Sequence, residues 1–277
     1  MDKMCVMING TGNMGNAIAK YFTKSGIEIF PYSISRPGKN GEVYCFEGGA
    51  KVELVKSDNM GMIEKIFKIG KPKIGVDYTR PDAAFPNAQL YCENDIPFVM
   101  GTSINGDREK IYDLVRKSNT CAVIAPNMAE ETVRMMYDLE SKKPGIYNGY
   151  GVKFIESHQA AKPKKLSATA KHIVPILQKL GLVIDNDRVR VYRDPVEQFN
   201  ELEVPKDYLD GHSWHIIKIT PHGGGPEDTI TYETKINGRV PYAEGTLKAV
   251  EFLNEKIKAG ETGKVYSMED VFGLTGE

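Results

Sequence analysis

Near the N-terminus the apolar run CVMI leads directly into Gly10, Gly12 and Gly15, in G-x-G-x-x-G spacing, and then into NAIAKYFTKSG. A short run of that kind is what a buried strand uses. In the following segment Met14, Ile18 and Phe22 recur at helical intervals, with Ala17 and Tyr21 beside them, and Gly26 closes the helix. IEIFPYSIS then reads as a second strand. Strand, glycine turn, helix and strand form the arrangement that a dinucleotide fingerprint requires. The first glycine permits the sharp turn, the second lets a pyrophosphate approach the backbone, and the third lets the helix lie close to the strand. Free N–H groups and a partial positive charge at the helix N-terminus then face the phosphates. The turn Gly10-Thr11-Gly12-Asn13-Met14-Gly15 is therefore read as a cofactor-binding segment, against the plainer alternative of a structural turn.

The second strand bears on which dinucleotide is bound. About twenty residues beyond the glycines, an NAD-selective protein shows an acid for the ribose 2′-hydroxyl. This chain has Ser33, Ile34, Ser35 and Arg36 there, and no acid until Glu42. An arginine flanked by hydroxyls suits a 2′-phosphate, which favours NADPH while leaving NADH possible. The alternative is that Arg36 only solvates the start of a loop before Pro37-Gly38.

Further along, strand and helix patterns alternate. VYCFEGGAKVELVK reads as a hairpin around Gly48-Gly49, and DNMGMIEKIFKIG as a helix with Met62, Ile66 and Ile69 on one stripe. KIGVDYT, IPFVMGT and TCAVIAPNM read as strands, with PDAAFPNAQLYCEND and NGDREKIYDLVRKSN as helices between them. This alternation argues for a Rossmann-like, doubly wound parallel sheet, an α/β fold, over residues 1–128. In such sheets ligands sit outside the carboxyl ends of the strands. Thr79, Gly101-Thr102-Ser103 and Ala125-Pro126-Asn127-Met128 occupy those ends and are expected cofactor contacts. Over residues 129–240 the pattern becomes α+β. AEETVRMMYDLESK and LSATAKHIVPILQKLG read as helices; YGVKFIESHQAAK, RVRVYRD, HSWHIIKITPH and DTITYETKING read as strands. Residues 241–277 open with a long helix.

Composition narrows the class of protein. A formal net charge of −1 over 277 residues argues against non-specific nucleic-acid binding. Cys5, Cys45, Cys92 and Cys121 are dispersed, with no CxxC pair, so reduced, buried thiols and a cytoplasmic setting are expected rather than zinc or a disulfide framework. No apolar run approaches membrane-spanning length, and CVMI is too short for a signal peptide. His172, His212, His215 and His222 are scattered, and no metal site is expected. His172 is read as a helix-surface residue and Trp214 as packing.

The densest reactive stretch is ESHQAAKPKKLSAT, from Glu156 to Thr169. Three lysines and a histidine lead into a helix N-terminus with Ser167 as its N-cap. Positive charge facing free backbone N–H groups suits a carboxylate, and in particular a dicarboxylate. Histidine and lysine are also the expected proton donors when a hydride adds to a C=N or a conjugated C=C. A solvated basic loop before a capped helix is the alternative.

The segments NGTGNMG, VDYTRPDA, LYCENDIPFVMGTS, AVIAPNM, ESHQAAK, SATAKHIVPILQKLG, RDP, GHSWH, INGR and YAEGT stand in an order that resembles the dihydrodipicolinate reductase (4-hydroxy-tetrahydrodipicolinate reductase) family, particularly its plant-like branch. The likeness runs over nearly the whole chain. It implies a Rossmann-like cofactor domain completed by the C-terminal helix, and a mixed-sheet domain that binds substrate and forms a tetramer. It also implies that NAD(P)H delivers a hydride to the conjugated imine of a cyclic dicarboxylate in lysine and diaminopimelate biosynthesis. By the resemblance His158 is the donor/acceptor histidine and Lys162 the proton-donating lysine. Gln159 stands where the bacterial form has a second histidine, and Ser167, Ala168 and Thr169 match the S-G-T segment that holds a substrate carboxylate.

The chain departs from the family pattern at two positions of that motif. Lys164 replaces an aspartate, and Ala168 replaces the central glycine. The glycine turn is also one residue shorter than in many relatives. Lys164 and Lys165 are expected to lower the pKa of Lys162 by like-charge repulsion. The departures leave two alternatives open: a paralogous reductase of another cyclic imine or unsaturated dicarboxylate, and a catalytically silent nucleotide-binding protein.

Overall fold

A computed structural model describes residues 4–35, 40–102, 104, 106–162 and 165–276, with all their side chains except those of Ser35 and Ile69. The chain forms two compact units, Met1–Met128 with Tyr242–Glu277, and Ala129–Pro241. The first opens with β1 (Cys5–Asn9), α1 (Asn13–Lys24), β2 (Glu28–Ile29), β3 (Tyr32–Ser35), β4 (Val43–Cys45), β5 (Lys51–Lys56) and α2 (Met60–Ile69). It continues through β6 (Ile74–Asp77), α3 (Ala84–Glu93), β7 (Phe98–Met100), α4 (Arg108–Arg116) and β8 (Cys121–Ile124). Strands β1, β6, β7 and β8 are short apolar runs with little surface exposed, as parallel strands covered on both faces must be. Gly26, at φ +78°, carries the chain out of α1 in the left-handed conformation that favours glycine.

IEIFPYSIS, expected as one strand, forms two. Pro31 has no N–H to donate to a ladder, and the chain changes sheet there. β2 pairs with β1, whereas β3 pairs with β5 in a separate three-stranded sheet of order β3-β5-β4. β4 and β5 are the expected hairpin, turning through Gly48 and Gly49 at φ +99° and +93°. In α2, Ile66 is buried and Met62 packs against the core beside Ile63 and Phe67; the side chain of Ile69 lies outside those described.

The second unit contains α5 (Glu130–Glu140), β9 (Gly151–His158), α6 (Ala168–Lys179), β10 (Arg190–Tyr192), α7 (Pro195–Leu202), β11 (His212–Thr220) and β12 (Ile230–Asn237). Its sheet has order β10-β9-β11-β12, with β10 parallel to β9 and the other pairs antiparallel. Alternation along the strands sends Phe154, Ile217 and Ile219 into one cluster with Ile173 and Leu177 of α6. Ile155, Trp214 and Ile216 enter another with Val204, so Trp214 packs as expected. Helix α7 was not foreseen, although Asp194-Pro195 is a start signal: the Asp194 carboxylate accepts from the N–H groups of Val196 and Glu197, and proline occupies the first helical position.

The chain then adds α8 (Val240–Lys258), β13 (Lys264–Tyr266) and α9 (Met268–Val271). β13 lies beside β8 and completes a six-stranded parallel sheet of order β13-β8-β7-β6-β1-β2. The expected doubly wound parallel sheet with a mixed-sheet companion is the architecture that forms. The thiols depart from expectation: Cys92 and Cys121 are buried, but Cys5 is half-buried and Cys45 exposed. Among the described residues, no helix is long and apolar enough to cross a membrane.

Candidate functional site

In the first unit the three glycines have separate tasks. Gly10 sits at φ +108°, and a Cβ there would lie 2.3 Å from the carbonyl oxygen of Tyr78. A Cβ on Gly15 would lie 1.8 Å from the carbonyl oxygen of Gly10, so α1 rests hard against the turn. Gly12 is the N-cap of α1 and has no side-chain cap. A Cβ on it would meet nothing within 4 Å. The start of α1 thus presents backbone donors to open space, the setting in which a helix N-terminus can hold an anion. That space is a cavity of about 580 Å³, lined by Gly10, Thr11, Gly12, Ile34, Thr79 and Arg80 among others.

Asp77, at the end of β6, organises the floor of this region. It is fully buried, and its Oδ1 accepts from Thr79 Oγ1 (2.7 Å), Thr79 N (3.2 Å) and Thr102 Oγ1 (2.6 Å). Its Oδ2 accepts from Asn87 Nδ2 (2.7 Å) and the Tyr91 hydroxyl (3.1 Å). Buried charge survives only when its lone pairs are met in this way. Sequence reasoning passed over Asp77, yet an acid closing the otherwise apolar strand IGVD was a readable signal.

Of the expected cofactor contacts, Gly10, Thr11, Gly12 and Thr79 line the cavity, and Thr102 accepts from Thr79 N at 2.9 Å. Asn13 and Met14 form the first turn of α1. Gly101 and residues 125–128 follow the neighbouring strands β7 and β8, apart from the lining of this cavity. Arg36 and Ser103 lie outside the described residues. Ser33 requires a correction. Strand alternation turns Ile34 toward the cavity and leaves Ser33 fully buried, so its hydroxyl is not offered to a ribose phosphate.

In the second unit, sheet register assembles the other site. β9 and β11 pair His215 opposite Glu156 and Ser213 opposite His158. Glu156 is fully buried; one carboxylate oxygen is held by Arg193 Nη2 and the other accepts from Ser167 N at 2.9 Å. Arg193 Nη2 also donates to the Lys165 carbonyl at 3.1 Å, and Nη1 to that of Tyr192 at 2.8 Å. Gln198 of α7 donates to the His158 carbonyl at 2.6 Å. His158 Nδ1 stands 3.3 Å from the His212 carbonyl, an acceptor only, so this nitrogen carries the proton. The lone pair on Nε2 then faces Lys162 Nζ at 3.2 Å, which donates to it.

These surroundings set the charges. Burial, followed by the nearby cations Lys162 and Arg193, holds His158 far below its ordinary range, so the ring is neutral. Burial lowers Lys162 to about 8, with Glu156 opposing and Arg193 reinforcing the shift. His215 falls to about 4, again mainly by burial. Burial alone would raise Glu156, but hydrogen bonds from Ser167 and Arg193 outweigh it and keep the group a carboxylate. The expected fall of Lys162 is present, with a different cause among the described residues: desolvation and Arg193 rather than its lysine neighbours. Lys164 lies outside the described residues, and Lys165 is exposed. With Glu156 anionic, Arg193 and Lys162 cationic and both histidines neutral, this set carries one positive charge.

The expectation that the histidines are scattered fails for His215. Its ring, that of His158 and the Glu156 carboxylate bring ligand-type atoms within 4.8 Å of one another. Two cations already use the set, Lys162 on His158 and Arg193 on Glu156, and we read it as a hydrogen-bonded cluster rather than a metal centre. His212 bonds Ser157 Oγ and the Tyr208 carbonyl, at 2.8 and 2.9 Å. His172 is exposed beside Glu140, His222 is exposed, and Arg239 is half-buried near Gly211.

Among the expected substrate contacts, Gln159 accepts from Lys162 N at 3.0 Å in a tight turn. Ser167 caps α6 through its hydroxyl, which accepts from Ala170 N at 3.1 Å. Its own N–H is taken by Glu156, so Ser167 faces inward while Ala168 is exposed and Thr169 half-exposed at the helix start. Ser167→Ala is expected to cost about 1 kcal/mol. That would appear as a fall of roughly 2–4 °C in Tm by calorimetry, with NADPH binding unchanged.

Residues 4–128 match the family model described as "Dihydrodipicolinate reductase, N-terminus", and residues 123–272 match "Dihydrodipicolinate reductase, C-terminus". The chain is 35% identical over 272 residues to "4-hydroxy-tetrahydrodipicolinate reductase 1, chloroplastic" of Arabidopsis thaliana, across 96% of this chain and 77% of the relative. It is 36% identical over 280 residues to the "Probable 4-hydroxy-tetrahydrodipicolinate reductase 1, chloroplastic" of Oryza sativa subsp. japonica, across 96% and 78%. Among solved structures, the dipicolinate-bound dihydrodipicolinate reductase from Paenisporosarcina sp. TG-14 shares the fold, with a TM-score of 0.63 at 18% identity over 97% of this chain and 99% of that one. Taken with the glycine turn and the His158–Lys162 pair, these matches mean that the chain belongs to the dihydrodipicolinate reductase family.

Proposed function

We propose that this protein catalyses the NAD(P)H-dependent reduction of 4-hydroxy-tetrahydrodipicolinate (dihydrodipicolinate) to tetrahydrodipicolinate, a step of lysine and diaminopimelate biosynthesis. The observation that carries the reading is the Lys162 ammonium on the lone pair of a neutral His158, within a set of net charge +1. Such a set attracts an anionic substrate and keeps a proton ready at near-neutral pH. The open N-terminus of α1 and the cavity beside it are the proposed dinucleotide site; the nicotinamide, when bound, supplies the hydride. Ala129–Pro241 is the proposed substrate unit. Lys162 donates the proton, His158 orients the amine, and Ala168 and Thr169 at the start of α6 meet a carboxylate, with Gln159 beside them. The lysine at 164 is no obstacle to this chemistry, because an ionised partner for Lys162 is already present in Glu156.

The test follows the loss of NADPH absorbance while the preceding synthase forms substrate from pyruvate and aspartate semialdehyde. Rapid oxidation supports the reading, and NADPH binding without oxidation rejects it. A homotetramer and a cytoplasmic location belong to the same proposal; the two plant relatives are named as chloroplastic. A preference for NADPH rests on Arg36. Arg36→Ala is expected to raise KM for NADPH about tenfold or more, the loss of one charge-assisted hydrogen bond, and to leave KM for NADH nearly unchanged. An equal effect on both would place Arg36 away from the 2′-phosphate.

A further inference from the structure

Lys162 sits on a connection that leaves β9 at His158 and reaches α6 at Ala168. The near end is fixed by the turn from Gln159 and by Gln198 on the His158 carbonyl. Among the described residues an ion pair holds the far end: Glu156 takes the Ser167 N–H, and Arg193 takes the Lys165 carbonyl while bonding Glu156. We propose that Glu156 and Arg193 are a positioning pair that staples the connection to β9 and so holds the Lys162 amine on His158. This rests on the function proposed above and goes beyond it by giving Arg193, together with Glu156, a part in placing the amine.

The staple is economical in geometry. A guanidinium presents several donors in one plane, and here one group serves a carboxylate and two backbone carbonyls. Both members are nearly free of solvent exposure, so screening by salt is weak. Among the described residues, the ionisable groups around the Lys162 amine come from three strand regions: Glu156 and His158 from β9, Arg193 following β10, and His215 from β11. Glu156 draws a proton onto Lys162, and Arg193 pushes it off. A staple that also sets local charge leaves a signature that simple structural support does not.

The variant Glu156→Gln keeps the shape and an acceptor for the Ser167 N–H but removes the anion. Titration of the Lys162 Nζ resonance in 15N-lysine-labelled protein, assigned with Lys162→Ala, should move to lower pH from about 8 in the wild type. The alkaline limb of kcat/KM should move with it, kcat at pH 7 should fall at least tenfold, and NADPH affinity should stay within twofold. Arg193→Lys, which keeps the charge and loses the fork, should lower kcat about tenfold without moving that limb. An unmoved Lys162 titration in Glu156→Gln, or kcat within twofold of wild type in Arg193→Lys, overturns the inference. The resonance is read without turnover. A wild type that fails to oxidise NADPH therefore rejects the proposed function separately, and the positioning pair is judged on the titration.

Discussion

Replacing Lys162 with alanine is expected to lower kcat by about 10²–10⁴-fold, the range supplied by a positioned general acid. NADPH affinity, read by fluorescence, should be unchanged. A lysine at its ordinary value of 10.5 holds its proton too firmly to be an effective donor; one brought to about 8 is far closer to the operating pH. At pH 7 about nine in ten such amines are still charged. The sign of the pH dependence follows. The acid form is active, so kcat/KM stays nearly level up to about pH 7, is halved near pH 8 and keeps falling as the pH rises past the Lys162 value. His158 adds no acid limb between pH 5 and 8, because its buried ring stays neutral throughout that interval. In Lys162→Ala the alkaline limb should vanish, and added small amines should restore part of the rate. A kcat within tenfold of wild type would move the proton donor elsewhere.

Gly15→Ala is expected to give the largest structural effect. The new methyl would stand 1.8 Å from the carbonyl oxygen of Gly10, backbone against backbone, with no flexible side chain to give way. Overpacking of this kind costs about 1–3 kcal/mol and at times more. A drop in Tm of roughly 5–10 °C should follow, because 1 kcal/mol is worth about 2–4 °C in larger domains. As α1 shifts off the turn, NADPH should bind at least tenfold more weakly. Gly12→Ala is the informative contrast. Gly12 has φ −79° and empty space around its missing Cβ, so Tm should hold within about 2 °C. NADPH binding should still weaken about tenfold, because the methyl occupies the approach to the helix N-terminus. Equal affinity in Gly12→Ala and wild type would remove that helix start from the dinucleotide site.

The contrast also explains what could be read from the chain alone. The glycine turn, the alternating strands and the Ser167 cap are local signals, each written within a dozen residues, and all appear in place. IEIFPYSIS was misjudged because hydropathy continues through Pro31 while the hydrogen-bond ladder does not. β13 and α9 at the C-terminal end carried too little periodicity to be noticed. The inner part of the candidate site was illegible for another reason. Glu156, Arg193, Gln198 and His215 come from four segments, and they meet only through the register of β9 with β10 and β11. A single sequence contains no statement of register. Asp77 is the intermediate case: the acid was visible, but the donors that justify its burial come from Thr79, Asn87, Tyr91 and Thr102, brought together by the folded sheet.

The place of β13 at the edge of the six-stranded sheet has a consequence for synthesis. During translation β1 to β8 emerge before all of Ala129–Pro241, and the strand that covers β8 follows only after that unit. Until Lys264–Tyr266 clears the ribosome, the β8 side of the nascent sheet is bare, the kind of surface on which chains stick to each other. The inserted unit is contiguous and has no such wait. The nascent chain therefore carries a folded middle and an unfinished first unit, and the interval in which it needs shielding lasts until Lys264–Tyr266 is free to pair with β8.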